Sequence, residues 1–472
     1  MKTTNIIKTI DWTTVSIYLI LVAFGWLNLY AANTSPDSID FFDTNKEYFK
    51  QLIWIIFAFV SVGVIMLSDS KLFVEFAYIF YGIGIMLLLF VLVFGVEING
   101  AKAWFQFGST RFQPVEIVKV SSTLAIARVM SRFEFSIYKI KDVIKLGMFW
   151  FAPFAIIILQ NDTGSALVFI AFFLMFFREG MSPYVILFGF IAIIVFILTL
   201  LIPNSTIQII LAIGLFAIIF FKGLRHESLI SLAIALSLLG LSSLWMKFTK
   251  GDVNMDVALI IAMFGTSIYL VVKAFYKRIS ILWIYLLLFW GSIFFAYSTD
   301  YFFEKVLSDY QRLRILVLLS LKEDPLGAGY NVNQSKIAIG SGGFAGKGFL
   351  QGTQTKFNFV PEQSTDFIFC TVGEEWGFLG TTVVVAFFVF LLIRLIIISE
   401  RQHSVFSRVY GYGVLGIFFF HFAINIGMTI GLAPVIGIPL PFFSYGGSSL
   451  WGFSILLFIL LKLDTNRTEL IR

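Results

Sequence analysis

One cysteine, Cys370, is all the chain contains in 472 residues. That excludes an intrachain disulfide and any cysteine-based metal site. Charge is also scarce, at 13% Asp, Glu, Lys and Arg, about half the share of a soluble protein. The histidines, His226, His403 and His421, are scattered. They suggest no ligand set, and His421, inside an apolar run, reads as a packing or hydrogen-bonding residue. There is no Walker A sequence and no polar stretch long enough for a cytosolic ATPase domain, so any energy comes from substrate, an ion gradient or a partner. The first apolar run, about 14–32, lacks a small-residue cleavage site and reads as a retained helix.

What the chain has in abundance is apolar sequence: 59% hydrophobic residues and 57 phenylalanines, with mean hydropathy +0.92. The phenylalanines read as lipid-facing bulk rather than stacking platforms. Apolar runs recur from end to end, which defines an all-α polytopic membrane protein. Spans are expected near 14–32, 51–68, 72–95, 113–131, 143–160, 163–178, 183–202, 206–221, 228–246, 255–275, 279–298, 366–397, 409–432 and 442–462, about fourteen helices. Basic residues orient them. Arg128, Arg132, Lys139, Lys141 and Lys145 share one connector; Lys222 with Arg225, and Lys273, Lys277 and Arg278, mark two others. Arg394, Arg401 and Arg408 follow, then Lys462, Arg467 and Arg472. Alternating spans put all of these on the side of the N-terminus, so both termini are expected in the cytoplasm. The net charge of +6 reflects this anchoring, not nucleic-acid binding.

The stretch 310–366 differs from everything around it. It is polar, Gly-rich and basic; between 310 and 360 six Lys or Arg face two acids, Glu323 and Asp324. Such a segment between apolar helices is functional or disordered, and its regular apolar positions argue against disorder. The chain divides into 1–181, an N-terminal transmembrane half; 182–298, a transmembrane region with extra helices; 299–365, a large extracytoplasmic loop; and 366–472, the C-terminal helices. Basic residues in an outside loop oppose the positive-inside bias, and an anionic ligand would account for them.

Several blocks carry a family resemblance. They are GAKAWFQFGSTRFQPVEIVKV (100–120), DYQRLRI (309–315), DPLGAGYNVNQSKIAIGSGG (324–343), GKG (346–348), GTQ (352–354), PEQSTDFIF (361–369), GEEWGFLG (373–380), Asn425 in NIGM, and PVIGIPLPFFSYGGSS (434–449). In kind and order they resemble the SEDS family (shape, elongation, division and sporulation), and its elongation branch rather than its division branch, over roughly 95–180 and 299–465. The sequence departs from the family twice. The family has about ten spans, so 182–298 holds about four extra. In QNDTGSAL (160–167) Asn161 stands where the family usually has Pro, which puts the local backbone shape in question but leaves Asp162 in place.

The resemblance implies a peptidoglycan glycosyltransferase of the bacterial cytoplasmic membrane. It would polymerise lipid II at the outer face during elongation, beside a class B penicillin-binding protein and other elongation-complex membrane proteins. That chemistry needs a base for the acceptor hydroxyl, charge stabilisation for the pyrophosphate, and a place for two lipid tails. Asp366, where an apolar helix begins, is the candidate base; it must reach its proton at hydrogen-bond distance. The plainer reading of Ser364, Thr365 and Asp366 is a helix cap. Arg312, Arg314, Lys336 and Lys347 are candidates for the pyrophosphate, Arg as a fork and Lys as a point charge; the plainer reading of any one is a solvated charge. GSGGFAGKG (340–348) could present backbone N–H groups to an anion.

Glu116 and Lys119, three apart on one helix, share a face. Intramembrane ionisable groups are functional candidates, or an internal pair fixing helix packing. Asp162 is read the same way. Gln334, Ser335, Asn425 and Ser444 join the substrate-binding candidates through their motifs. Glu374 and Glu375 read as structural. GIPLPFFSYGGSS, with helix-breaking prolines and permissive glycines, suggests a cavity wall, or else a plain interhelical turn. A divalent cation, Mg2+ or Mn2+, would help the leaving group, though no ligand cluster demands one. Two other functions compete. A lipid II flippase needs no base but needs a headgroup route, and none is visible. A scaffold for the penicillin-binding protein would tolerate loss of Arg312 and Asp366 together.

Overall fold

The computed structural model describes residues 6–34, 46–98, 100–108, 110–250, 252–305, 309–319, 321, 322, 324, 327, 329–357 and 359–467. Glu323, Arg472 and part of the DPLGAGY motif (Pro325, Leu326 and Ala328) lie outside them. The described chain forms two compact units, 1–181 with 317–472, and Ser182–Leu316.

A backbone in lipid must satisfy its own polar groups, and a helix does so within one segment. Among the described residues, 12 helices are long and apolar enough to span a bilayer. In the first unit these are α1 (Trp12–Asn33), α2 (Glu47–Leu67), α3 (Ala77–Phe94) and α5 (Ile140–Leu159), then α15 (Ile368–Glu400), α16 (Val405–Thr429) and α17 (Gly447–Thr465). Two more of the expected runs form shorter helices, α4 (Val115–Met130) and α6 (Thr163–Arg178), the latter with a 3-10 turn at Phe169–Ala171. α4 explains its own modest hydropathy: 14 of its 16 residues are buried against protein, so polar groups on it face partners rather than lipid.

The second unit holds α7 (Pro183–Leu201), α8 (Asn204–Phe221), α9 (Arg225–Lys250), α10 (Met255–Tyr276), α11 (Ile281–Lys305) and all but the last two residues of α12 (Asp309–Leu318). Leu215, Ile219, Leu270, Leu282 and Phe289 form its core. Its buried acid, Glu227, accepts from Lys277 at 2.7 Å and lies 3.8 Å from Lys273. This pairing ties the start of α9 to the basic end of α10.

The stretch 299–365 differs from the expected loop. α11 continues to Lys305, and α12, α13 (Tyr330–Ser341) and α14 (Thr353–Lys356) follow. The boundary between units falls after Leu316, not after 298. In α13 the buried positions Ser335 and Ala338 are one turn apart, so a helix hides them while Asn333 and Lys336 stay exposed. Gly373 lies so close that a Cβ there would come within 2.8 Å of Ile339.

Upstream of α4 lies a small antiparallel sheet that the sequence reading did not anticipate. β1 (Val96–Ile98), β2 (Ala101–Phe107) and β3 (Thr110–Phe112) pair in chain order. Val96 faces Trp104 and Phe105 faces Phe112, with a bulge between Val96 and Glu97. Lys102 N donates to the Gln160 carbonyl at 2.9 Å, tying the sheet to the end of α5.

Candidate active site

Three segments meet around Asp366: the turn 361–367, the link 430–446 between α16 and α17, and the membrane-depth face of α16. Phe367 N and Thr365 N both donate to the Glu362 carbonyl, at 3.1 and 3.2 Å, with Glu362 at φ 55°. The turn is pinned on both sides. Tyr445 N donates to the Ser364 carbonyl at 2.8 Å, and Gln363 donates to the Ala32 carbonyl at 3.1 Å. The N-cap position of α15 falls on Phe367, not on Asp366. Asp366 itself is half-buried. Its Oδ2 lies 3.4 Å from where a Cβ on Gly437 would stand, so the carboxylate rests against bare backbone. Gly437 has φ 70°, a conformation glycine adopts without strain.

Asn425 ties this arrangement together. Its Nδ2 donates to the Asp366 carbonyl at 2.9 Å and to the Ile438 carbonyl at 2.8 Å. One turn earlier on α16, His421 Nδ1 lies 3.0 Å from the Pro439 carbonyl, and its Nε2 lies 3.1 Å from Lys119 Nζ. An ammonium has only donors and a carbonyl only accepts. The imidazole must therefore accept at Nε2 and donate from Nδ1–H. Lys119 also pairs with Glu116 at 2.9 Å and sits 4.7 Å from the Phe453 ring. Lys119 and His421 are each 1% exposed and Glu116 3%. A continuous buried chain thus runs from Glu116 through Lys119 and His421 to Pro439, beside the Ile438–Asn425–Asp366 contacts. The pair and the histidine were each legible as packing groups; their connection across α4 and α16 was not.

Asp162 caps α6, accepting from Ser165 N at 3.0 Å, and takes a second bond from Gln113 Nε2 at 2.8 Å. Asn161 before it has φ 59°, which answers the question raised by the missing proline: the chain turns through the left-handed region, which asparagine tolerates. Gly164 then packs so tightly on the 430–446 link that a Cβ there would lie 2.1 Å from the Ile436 carbonyl. Ser444 is buried and accepts from Leu440 N at 2.9 Å, closing that link internally. The proline–glycine segment therefore forms a wall against Asp366.

The candidates of 330–356 divide. Ser335 is buried and donates to the Thr429 carbonyl at 2.9 Å. Gln334 is half-buried and Lys336 exposed, with the Lys336 ammonium lying over the Gly431 backbone. Lys347 is committed inward, to Glu374 Oε1 at 2.7 Å. Glu374, fully buried, also accepts from Thr353, Gln354 and Thr355 N at 2.7, 2.8 and 2.9 Å. Its structural reading is therefore a concrete one, and Glu375 is buried next to it.

The glycine run 340–348 does not form the expected anion cradle. α15 kinks at Gly377 (φ 64°, ψ −158°), which leaves helix carbonyls without their usual donors. The run supplies them: Lys347 N and Gly348 N donate to the Glu374 and Glu375 carbonyls, both at 3.0 Å. In return Phe378 N donates to the Gly343 carbonyl at 2.9 Å. Two of its N–H groups thus serve the kink, and those of Gly342, Gly343 and Gly346 bond to the Ile339, Gly340 and Gly342 carbonyls.

Arg312 and Arg314 lie on α12, in the second unit. Arg312 donates from Nε to the Phe303 carbonyl at 3.1 Å and lies 3.7 Å from Asp309; both arginines are half-buried. No group of three His, Cys, Asp or Glu able to hold a metal ion occurs among the described residues.

A polytopic helical membrane protein, with a half-buried carboxylate on a Pro- and Gly-built wall backed by a buried ion pair, is the class these features define. The FtsW/RodA/SpoVE family, described as a cell cycle protein, matches residues 11–206 and 249–469. Treponema pallidum "Peptidoglycan glycosyltransferase RodA" is 30% identical over 461 residues, 97% of this chain and 98% of that protein. Escherichia coli K12 "Peptidoglycan glycosyltransferase MrdB" is 32% identical, over 83% of this chain and 78% of that protein. Among solved structures, a chain from a peptidoglycan synthase complex that coordinates polymerization and crosslinking aligns with TM-score 0.59 and 22% identity, covering 98% of this chain and 99% of that one. Thermus thermophilus RodA aligns with TM-score 0.56 and 21% identity, covering 98% of each. The chain belongs to the FtsW/RodA/SpoVE family. The family match leaves out 207–248, most of α8 and α9, yet the Treponema relative aligns over nearly its full length.

Proposed function

We propose that this protein is a peptidoglycan glycosyltransferase that polymerises lipid II at the outer face of the cytoplasmic membrane. Family membership and relatives named for that activity support it. The observation that carries the site reading is the Asp366 carboxylate, half-buried against Gly437 and fixed through its backbone by Asn425. Asp366 takes the proton of the acceptor sugar hydroxyl as that oxygen attacks the anomeric carbon of the donor. The bond from that carbon to the pyrophosphate breaks, and the lipid-linked pyrophosphate leaves. Lys336, exposed beside the 430–446 wall, neutralises the leaving charge; the DYQRLRI motif is the ground for giving Arg312 and Arg314 the same role; Gln334, Ser335, Ser444 and Asp162 shape the ground around Asp366. Lys347 acts at one remove, by holding Glu374. A divalent cation, were Asp366 to hold one, would stabilise the same charge.

Both termini face the cytoplasm in this reading. Asp11 pairs with Arg394 and Arg401, and Arg401 with Asp464, so the basic ends of α15 and α17 gather beside the N-terminus, as the positive-inside bias requires. The partner is a class B penicillin-binding protein that crosslinks the new strand, in keeping with the synthase complex whose chain shares this fold.

The test is a polymerisation assay with purified protein, alone and with its cognate penicillin-binding protein, given lipid II and magnesium or manganese. A glycan ladder that disappears in Asp366→Asn, with folding intact, is the expected result. A parental ladder from the variant removes Asp366 as the base. Binding of lipid II without any ladder, with the partner present, moves the function to transport or scaffolding.

A further inference from the structure

A cavity of about 1080 Å3 opens in the first unit where α6 ends and α16 begins, and Asp366 is not among its lining residues. Its walls are the start of α3, the α4–α5 connector, Glu179 after α6 and the start of α16. Three arginines line it, Arg128, Arg132 and Arg408, against a single carboxylate, Glu179. Arg408 neutralises that carboxylate by a two-pronged contact at 2.8 and 3.0 Å. Two positive charges therefore remain. Arg132 is held at the rim by Tyr78, donating to its hydroxyl at 2.8 Å with the guanidinium 5.6 Å from the ring. That contact is neutral and leaves the charge uncompensated. Arg128 forms no ion pair among the described residues.

A second feature points the same way. α16, 25 residues long, begins in the cavity wall at Ser404 with no side-chain cap on its first turn. The partial positive charge of its N-terminus faces the same space. Apolar side chains, Val74, Met130 and Ile137 among them, share the lining with Ser131, Ser136 and His403. The connector beside it exposes Phe133 and Tyr138, at 104% and 82%, as an interfacial anchor does.

We propose that this cavity binds the headgroup of an anionic membrane phospholipid. The phosphate pairs with Arg128, Arg132 and the α16 N-terminus, while the glycerol and first acyl carbons rest on the apolar lining. The apolar floor and exposed aromatic rim favour a lipid over a free anion, and basic pockets between helices at this level suit such headgroups. The inference needs neither the glycosyltransferase reading nor the Asp366 site.

The test uses the purified full chain and native mass spectrometry, with phosphatidylglycerol or phosphatidylcholine added in detergent. The parent should retain phosphatidylglycerol in preference. Arg128→Gln with Arg132→Gln should cut that retention about tenfold, and Arg132→Gln alone, at an exposed position, several-fold. Lys141→Gln with Lys145→Gln, on α5 outside the cavity, should change it less than twofold. Equal losses in the arginine and lysine variants, or no preference over phosphatidylcholine, overturn the proposal. Displacement by millimolar inorganic phosphate overturns the lipid assignment and makes the ligand a soluble anion. If the double variant does not purify, Arg132→Gln against the lysine pair decides the matter.

Discussion

Asn425 on α16 donates to the backbone carbonyl of Asp366 at 2.9 Å, so the residue that holds the candidate base does so without touching its carboxylate. The same amide reaches the Ile438 carbonyl at 2.8 Å and is fully buried. Asn425→Ala would leave two carbonyls unsatisfied, at about 1–3 kcal/mol each. Polymerisation in that variant should fall more than tenfold while the helical signal persists and the thermal midpoint drops by a few degrees. Lipid II binding should be retained, because the acceptor and donor contacts are untouched. A variant with full polymerisation at a lowered midpoint would make Asn425 a packing residue only.

Lys347 separates two roles that the sequence leaves open. Its ammonium lies 2.7 Å from Glu374 and 2.9 Å from the Thr353 hydroxyl. Lys347→Ala leaves a buried carboxylate without its cation, a loss of about 3–5 kcal/mol. The variant should become sensitive to limited proteolysis between 342 and 360, and Glu374→Gln with Lys347→Met should be less sensitive than Lys347→Ala. If Lys347 contacts pyrophosphate instead, its loss will raise the apparent KM for lipid II with no change in the cleavage pattern.

The legible parts of this chain were those written in local pattern. Apolar periodicity placed each of the expected runs on a helix, and Arg394 and Arg401 on α15 meet Asp11 and Asp464 in the first unit. Asp366 stood out through its motif and its place beside a helix start. What pattern could not carry was distance in the chain. Lys119 and His421 are 302 positions apart, and no spacing rule connects them. The glycine run was misread as an anion cradle because its actual partners, the carbonyls near Gly377, become available only when α15 kinks. α12 and α13 read as loop because helices of 10 and 12 residues lack the long apolar signal of a span.

At the termini face, pH tests the Asp11 contacts. Burial alone would push the Asp11 carboxyl up, but the Thr14 N–H together with Arg394 and Arg401 outweighs it and holds the group below the ordinary carboxylate value. A depressed folded-state pKa stabilises above the unfolded value, near 4, and that contribution is lost as pH falls through the folded value. Parent and Asp11→Asn should therefore differ most in thermal midpoint at neutral pH, and the gap should close below about pH 4. A gap independent of pH would mean that Asp11 acts through its helix cap on α1 and not through its charge.

The buried pair of Glu116 and Lys119 gives the sharpest separation of stability from catalysis. Each is nearly inaccessible, and they lie 2.9 Å apart. Removing one partner of such a pair costs about 3–5 kcal/mol, while replacing both by apolar residues of similar volume can be neutral. Glu116→Leu and Lys119→Met should each lower the thermal midpoint sharply, and the double variant should recover most of it. Polymerisation should not recover with it. Lys119 also donates toward His421 Nε2, and His421 in turn holds the Pro439 carbonyl next to Ile438 and Asn425. A methionine at 119 keeps the volume but cannot donate, so the wall behind Asp366 loses its anchor even in a stable protein. A double variant restored in both midpoint and glycan ladder would confine the pair to helix packing.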